Sequence, residues 1–150
     1  MIRSRRRGMT PAATLLAAAL VAAVALALVW RLGDDAPREQ RDLTIDRLNT
    51  IADGLEDYAI DNGGVFPTSE QGLAALLTKP TDEQAPARWR GPYLTDAQVL
   101  RDAWGVPFNY VSPGGDGRPY DLWSNGADRA EGGEGANADI QSWKRSTLIP

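Results

Sequence analysis

Residues 38–60 read REQRDLTIDRLNTIADGLEDYAI, and the spacing within them decides the fold of the chain. Apolar residues recur there at intervals of three and four, which is the spacing of one face of an α-helix. Charged residues such as Asp53 and Glu56 fill the opposite face. The pattern predicts an amphipathic helix that ends near the NGG of residues 62–64, where the backbone tolerates left-handed angles. Its expected core residues are Leu48, Ile51, Ala52, Leu55, Tyr58 and Ala59.

A longer apolar run precedes this helix. Residues 11–30 read PAATLLAAALVAAVALALVW, contain no charged side chain, and follow four arginines in residues 1–8. As a helix with a rise of 1.5 Å per residue, this run spans about 30 Å, the thickness of a hydrocarbon core. It predicts a membrane-spanning helix whose basic end stays in the cytoplasm.

The N-terminus admits three interpretations: a cleaved secretory signal, a permanent anchor, or a processed segment whose helix is kept. The run is longer than the roughly 7–15 residues of a signal-peptide core, although Ala25-Leu26-Ala27 offers a cleavage site. A buried helix of a soluble domain is disfavoured, because a small domain has no use for a helix that is apolar on every side.

Composition limits the available chemistry. The chain has 150 residues, which suits one domain, and contains neither His nor Cys. A Ser-His-Asp relay, a thiol nucleophile, a disulfide and a Cys/His zinc site are therefore excluded. The 16 basic and 20 acidic side chains give a net charge of −4. Because residues 1–8 are basic, the rest of the chain is more acidic than this average. That negative charge disfavours nucleic-acid binding. The oxygen ligands that remain suit calcium better than a transition metal.

Beyond residue 64 the predicted elements are short. Thr68 and Gln71 have the spacing of a capping box, which predicts the start of a helix that buries leucines. Residues 108–111 and 120–124 read as strands separated by a turn-rich segment. The sequence thus predicts an α+β fold, in which the long N-terminal helix packs on a small antiparallel sheet. Three aromatic residues are expected to pin the loop of residues 80–107 to the core: Trp89, Tyr93 and Trp104.

Residues 124–140, SNGADRAEGGEGANADI, alternate acidic and amide side chains with glycines. Glycines let the backbone fold back, so that carbonyl and carboxylate oxygens converge as calcium requires. Asp128 and Asp139 are candidates to clamp the ion, although the spacing is not that of an EF-hand and a solvated turn is the alternative. Ile140 and Trp143 read as core anchors that tie down the end of this loop.

Several motifs, in order along residues 57–143, resemble the major pseudopilins of bacterial type II secretion systems, which are type IV pilin-like proteins. These motifs are Asp57-Tyr58, Asp61-Asn62-Gly63, Phe66-Pro67-Thr68, Glu70-Gln71-Gly72-Leu73, Lys79-Pro80, Trp89-Arg90-Gly91-Pro92-Tyr93, Asp102-Ala103-Trp104-Gly105-Val106-Pro107, Tyr110-Val111-Ser112-Pro113-Gly114 and the stretch Ser124–Trp143.

The resemblance implies a type IV pilin-like fold with a calcium ion (Ca2+) in the C-terminal loop. By position, it implies that the carboxylates of Asp128 and Asp139 are side-chain ligands. It also implies that the backbone carbonyls of Asn125 and Ala130 bind the ion, with a further oxygen from Gly133.

The resemblance also implies a structural subunit rather than an enzyme. Such subunits polymerise into the periplasmic pseudopilus, which helps drive folded proteins across the outer membrane. Three parts are expected: a basic leader at 1–8, a transmembrane and assembly helix at 9–30, and a periplasmic head at 31–150. The expected location is the bacterial inner membrane, crossed once, with the N-terminus in the cytoplasm.

The implied partners are other copies of the chain, minor pseudopilins, a prepilin peptidase, the inner-membrane secretion platform and inner-membrane lipid. The peptidase is expected to cut between Gly8 and Met9, and residue 9 is then methylated. The sequence departs from the family at Ala13, where a Glu is usual, and at Pro11 and Ala12, which replace bulky aliphatic residues. An uncut anchor therefore stays open as an alternative.

Two further alternatives come from other functional classes. One is a membrane-anchored hydrolase that uses two carboxylates. The other is an anchored calcium-binding periplasmic module that does not polymerise. The hydrolase candidates are Asp102, Asp116, Asp121 and Asp128.

Overall fold

The structure is a computed structural model that describes residues 11–144, with their side chains except those of residues 11–18, 26–36 and 136. The chain divides into two compact units, residues 1–37 and 38–150. One long helix, α1, spans Pro11–Asp61, and three short strands follow: β1 at Asn109–Val111, β2 at Asp121–Ser124 and β3 at Ile140–Gln141.

The first unit contains the N-terminal part of α1. Leu20, Val21 and Val24 are exposed on this helix. No helix among the described residues combines the length and apolar character that a membrane crossing requires. The predicted cleavage site at Gly8-Met9 lies outside the described residues, as do most side chains of the predicted span at 9–30.

In the second unit, α1 supplies one wall of the core. Leu48, Ile51, Leu55 and Tyr58 are almost completely buried, which confirms the helix face predicted from the spacing. Burying one such side chain contributes about 1.5–3 kcal/mol. Ile45 extends the same face one turn earlier than predicted, and Ala52 is only half-buried.

The sheet supplies the opposite wall. Its strands are antiparallel in the order β1-β2-β3, with Tyr110 opposite Leu122 and Ser124 opposite Ile140. Leu122 and Ile140 are fully buried and belong to the same apolar cluster as Leu55 of α1. The predicted α+β fold is therefore confirmed. The third strand was not predicted, because two residues are too few to show an alternating pattern.

The capping box at Thr68 forms as predicted. The Thr68 amide donates to Gln71 Oε1 at 3.0 Å, and the Gln71 amide donates to Thr68 Oγ1 at 3.2 Å. Only a single 3₁₀ turn follows, at Leu73–Leu76, because Gly72 adopts φ +59° and ψ −168° and interrupts the helical backbone. The expected helix is thus reduced to one turn that still buries Leu73 and Leu76.

The aromatic residues of the 80–107 loop pack against the core as predicted. The Trp89 indole N–H donates to the carbonyl of Ala75 at 2.9 Å. The Tyr93 hydroxyl donates to Asp61 at 3.1 Å, and its ring meets that of Tyr58 edge-on at 5.5 Å. The indole N–H of Trp89 and the hydroxyl of Tyr93 therefore keep hydrogen-bond partners although their rings are half-buried.

Candidate metal-binding site

The loop of residues 125–139 is held between two neighbouring strands. It leaves β2 after Ser124 and enters β3 at Ile140, and these two residues are paired across the ladder. The Ser142 amide also donates to the carbonyl of Leu122 at 2.9 Å, which extends the pairing. Both ends of the loop are therefore fixed by the sheet, as the sequence predicted from Ile140.

Asn125 lies at the first end of the loop. Its side-chain oxygen Oδ1 is buried, and no donor among the described residues reaches it. A buried acceptor without a donor costs about 1–3 kcal/mol unless something else binds it. The predicted ligand atom at this position is the backbone carbonyl, and the buried side-chain oxygen is a second candidate on the same residue.

Asp139 lies at the other end. Its Oδ2 accepts from the Gly132 amide at 3.1 Å, and its own amide donates back to the carbonyl of Gly132 at 3.2 Å. Its Oδ1 is buried and has no donor within the described part of the chain. One carboxylate oxygen thus holds the loop, and the other is available to a cation.

Gly133 sits where the loop folds most closely on itself. Its φ is +79°, and a Cβ atom at this position would lie 2.5 Å from the carbonyl oxygen of Asn137. No side chain fits so close to backbone. The glycine therefore allows the chain to fold tightly beside Asp139, and the structure brings the predicted residues Gly133 and Asp139 into one turn.

Asp128 and Ala130 form a separate turn. The Asp128 side chain is exposed, and its Oδ1 accepts from the Ala130 amide at 3.1 Å. The two predicted carboxylates therefore occupy different backbone turns, 128–130 and 132–139. Of the two, only Asp139 combines burial with an oxygen that lacks a donor.

Sequence reasoning missed Gln141, whose amide Nε2 donates to Asp139 Oδ2 at 3.4 Å. The available signal was the strand period, since residues two apart on a strand share a face. Among the side chains that the structure describes, no group of three acidic residues is placed to hold one ion. A metal here would depend on amide and carbonyl oxygens as well as carboxylates.

The oxygen atoms of this loop are of the types that calcium binds. The ion takes six to eight oxygen ligands, including carboxylate, amide and backbone carbonyl oxygens, in flexible geometry. Two buried oxygens without donors, on Asn125 and Asp139, are the groups that a cation would satisfy.

The carboxylates considered for a hydrolase are engaged in structural contacts. Asp102 is buried and accepts three hydrogen bonds. Asp121 accepts from Arg118 Nε at 2.6 Å, and this hydrogen bond, with another from the Gly115 amide, lowers the pKa of Asp121. Asp116 pairs with the same arginine at 3.2 Å.

Comparison with known proteins agrees with this fold. A family model described as "Type II secretion system (T2SS), protein G" matches residues 32–143. The type II secretion system core protein G of Pseudomonas aeruginosa is 43% identical over 97 residues, which cover 64% of this chain and 66% of that protein. The corresponding protein of Vibrio cholerae is 38% identical over 112 residues, covering 75% of this chain and 73% of that protein.

A solved structure is also similar. The crystal structure of the major pseudopilin from the type 2 secretion system of enterohaemorrhagic Escherichia coli superposes with a TM-score of 0.60 at 30% sequence identity. The match covers 75% of this chain and 92% of that one. The family is one of structural, pilin-like subunits and is not known for an enzyme activity. On this agreement of sequence and fold, the chain belongs to the protein G family of the type II secretion system, the family of its major pseudopilins.

Proposed function

We propose that the chain is the subunit of a periplasmic pseudopilus that helps to move folded proteins across the outer membrane. The family match over residues 32–143, together with the pilin-like fold, carries this proposal. The exposed Leu20, Val21 and Val24 support it, because apolar side chains on a helix surface need neighbours to cover them. In a filament, copies of the same helix provide that cover.

The proposal includes an inner-membrane precursor. Residues 1–8 act as the basic leader, 9–30 cross the membrane, and the head from residue 31 lies in the periplasm. Prepilin peptidase cuts between Gly8 and Met9, and residue 9 is methylated. The support is the sequence itself: four arginines in the leader, followed by the uncharged run at 11–30.

Calcium completes the proposal. Asp139 supplies a side-chain oxygen, Asn125 supplies its backbone carbonyl and its side-chain oxygen, and Asp128, Ala130 and Gly133 are the further predicted ligands. When bound, the ion neutralises the Asp139 carboxylate and links the two ends of the 125–139 loop. The support is the pair of buried oxygens without donors at those ends. Fixing the loop fixes the surface that it offers to a neighbouring copy.

Assembly is tested by chemical cross-linking in membranes of cells that express the chain together with prepilin peptidase and the secretion platform. We expect a ladder of multimers that disappears in cells without the peptidase, because the charged leader then keeps the helix in the bilayer. A chain that is fully cleaved and still runs only as a monomer would contradict assembly and favour the alternative, an anchored calcium-binding module that does not polymerise.

Processing is tested by mass spectrometry of the mature N-terminus. The proposal expects a chain that begins at residue 9 and carries a methyl group on its amine. An intact Met1 shows an uncut anchor, and a start near Arg31 shows simple export.

A further inference from the structure

The motif Asp102–Pro107 lies outside the 125–139 loop, yet it contains a buried carboxylate that accepts three hydrogen bonds. Asp102 is 1% exposed. Its Oδ1 accepts from the amides of Trp104 at 3.0 Å and Val106 at 2.8 Å. Its Oδ2 accepts from the hydroxyl of Ser124 at 2.6 Å.

The backbone around this carboxylate is fixed to α1. Arg47 of α1 donates to the carbonyl oxygen of Asp102 at 3.0 Å. Thr44, also on α1 and buried, accepts from the Ala103 amide at 3.1 Å. Asp102 is therefore held by the helix and holds, in turn, the end of β2.

Ser124 connects Asp102 to the 125–139 loop through two hydrogen bonds. Its hydroxyl proton points to Asp102, so a lone pair on its Oγ is free to accept from the Gly126 amide, at 3.2 Å. Both hydrogen bonds are buried. The Gly126 amide and the Asn125 carbonyl belong to the same planar peptide group, so the hydrogen bond to Ser124 fixes the direction of the Asn125 carbonyl.

We infer that Asp102 is a positioning residue for the metal loop and acts through the Ser124 hydroxyl to orient the backbone carbonyl of Asn125, the ligand atom predicted at this position. The inference rests on the proposed calcium function and adds to it a residue that is not a ligand. A carboxylate is required because both of its oxygens only accept. With Asp102→Asn, Oδ1 stays with the two amides, so an NH₂ group faces Ser124 Oγ and the Ser124 hydroxyl proton loses its acceptor.

The test uses the full chain in detergent micelles, as wild type, Asp102→Asn, Ser124→Ala and the double variant. Calcium affinity is measured by isothermal titration calorimetry at a temperature at which each variant is folded by circular dichroism. We expect each single variant to bind calcium about 10-fold more weakly, the usual effect of losing a group that supports a metal ligand. The double variant is expected to be no weaker than either single one, because both remove the same link.

Tyr110→Phe is the matched control. It removes the hydrogen bond from the Tyr110 hydroxyl to the carbonyl of Pro67, 2.8 Å long and far along the chain from the loop. It is expected to lower thermal stability and leave the calcium Kd unchanged. If Ser124→Ala and Asp102→Asn also lower only stability and keep the wild-type Kd, the inference is wrong while the calcium site stands. If Asp102→Asn does not fold, the calcium affinity of Ser124→Ala alone tests the inference.

A second measurement separates this inference from the metal site. Hydrogen exchange of the Gly126 amide, followed by NMR in the presence of a chelator, reports the Ser124 contact without any ion. It is expected to be faster in both single variants than in wild type and Tyr110→Phe. If the wild-type chain binds no calcium, the proposed metal site is wrong. If the exchange rate of the Gly126 amide is the same in the variants and the wild type, the proposed link through Ser124 is wrong.

Discussion

Calcium is expected to raise the melting temperature of the chain, and the size of the rise follows from the burial of two oxygen atoms. Oδ1 of Asn125 and Oδ1 of Asp139 are buried with no donor among the described residues. Each such group costs about 1–3 kcal/mol, so an ion that binds both recovers about 2 kcal/mol at the lower end of that range. In a domain of this size, each kcal/mol moves Tm by roughly 4–8 °C, so the expected rise is about 8 °C or more.

The assay is thermal unfolding of the full chain in detergent, followed by circular dichroism with excess calcium or excess chelator. Magnesium is a useful third condition, because it demands shorter, octahedral coordination and keeps its waters, so its effect should be smaller. Asp139→Asn removes a charge at the site and should abolish the rise. Glu131→Gln makes the same charge change on an exposed residue of the same loop and should keep it.

Two results would contradict calcium binding by the buried oxygens of Asn125 and Asp139. The first is the same Tm in calcium and in chelator. The second is an equal loss of the calcium effect in Asp139→Asn and Glu131→Gln, since the effect would then follow net charge and not the buried oxygens.

Three further predictions concern the fold. Leu55→Ala, at a fully buried core position, should lower the free energy of unfolding by about 2–5 kcal/mol in urea titrations; less than 1 kcal/mol, roughly the cost of a tolerated core swap, would contradict the packing described. Arg118 lowers the pKa of Asp121, so the stability that this pair adds is present above about pH 4 and is lost as the pH falls; Asp121→Asn should flatten that loss in Tm measured against pH, and an unchanged acid limb would count against it. Burial raises the pKa of Tyr110 from 10.0 to about 12, so stability should fall as the pH rises from 10 towards 12, and Tyr110→Phe should fall less steeply than wild type; parallel curves would exclude this contribution.

The sequence is informative wherever a local pattern repeats. The three- and four-residue spacing of Leu48, Ile51 and Leu55 requires one buried helix face, and the structure has it. The capping box at Thr68 depends on residues three apart, and both of its hydrogen bonds form. The length of the following turn was not predictable from that box, because Gly72 takes a backbone angle that other contacts decide.

The candidate metal-binding site depends on contacts between segments that are separated along the chain. Ile140 was predicted as a buried anchor from its type, but its strand depends on a partner, Ser124, far along the chain. The peptide group between Asn125 and Gly126 is held by the Ser124 hydroxyl, and that hydroxyl donates to Asp102 in another segment. No spacing along the chain carries that information, so these contacts, in contrast to the loop, were not predictable from the sequence.

Assembly into a pseudopilus can be observed by electron microscopy. Surface filaments are sheared from cells that overproduce the chain with its secretion system, and are labelled with an antibody against the head at residues 31–150. We expect filaments labelled along their whole length, fewer of them in Asp139→Asn, and an unchanged number in Glu131→Gln. Cells that contain the fully processed chain in quantity, and in which no filament carries the label, would contradict it.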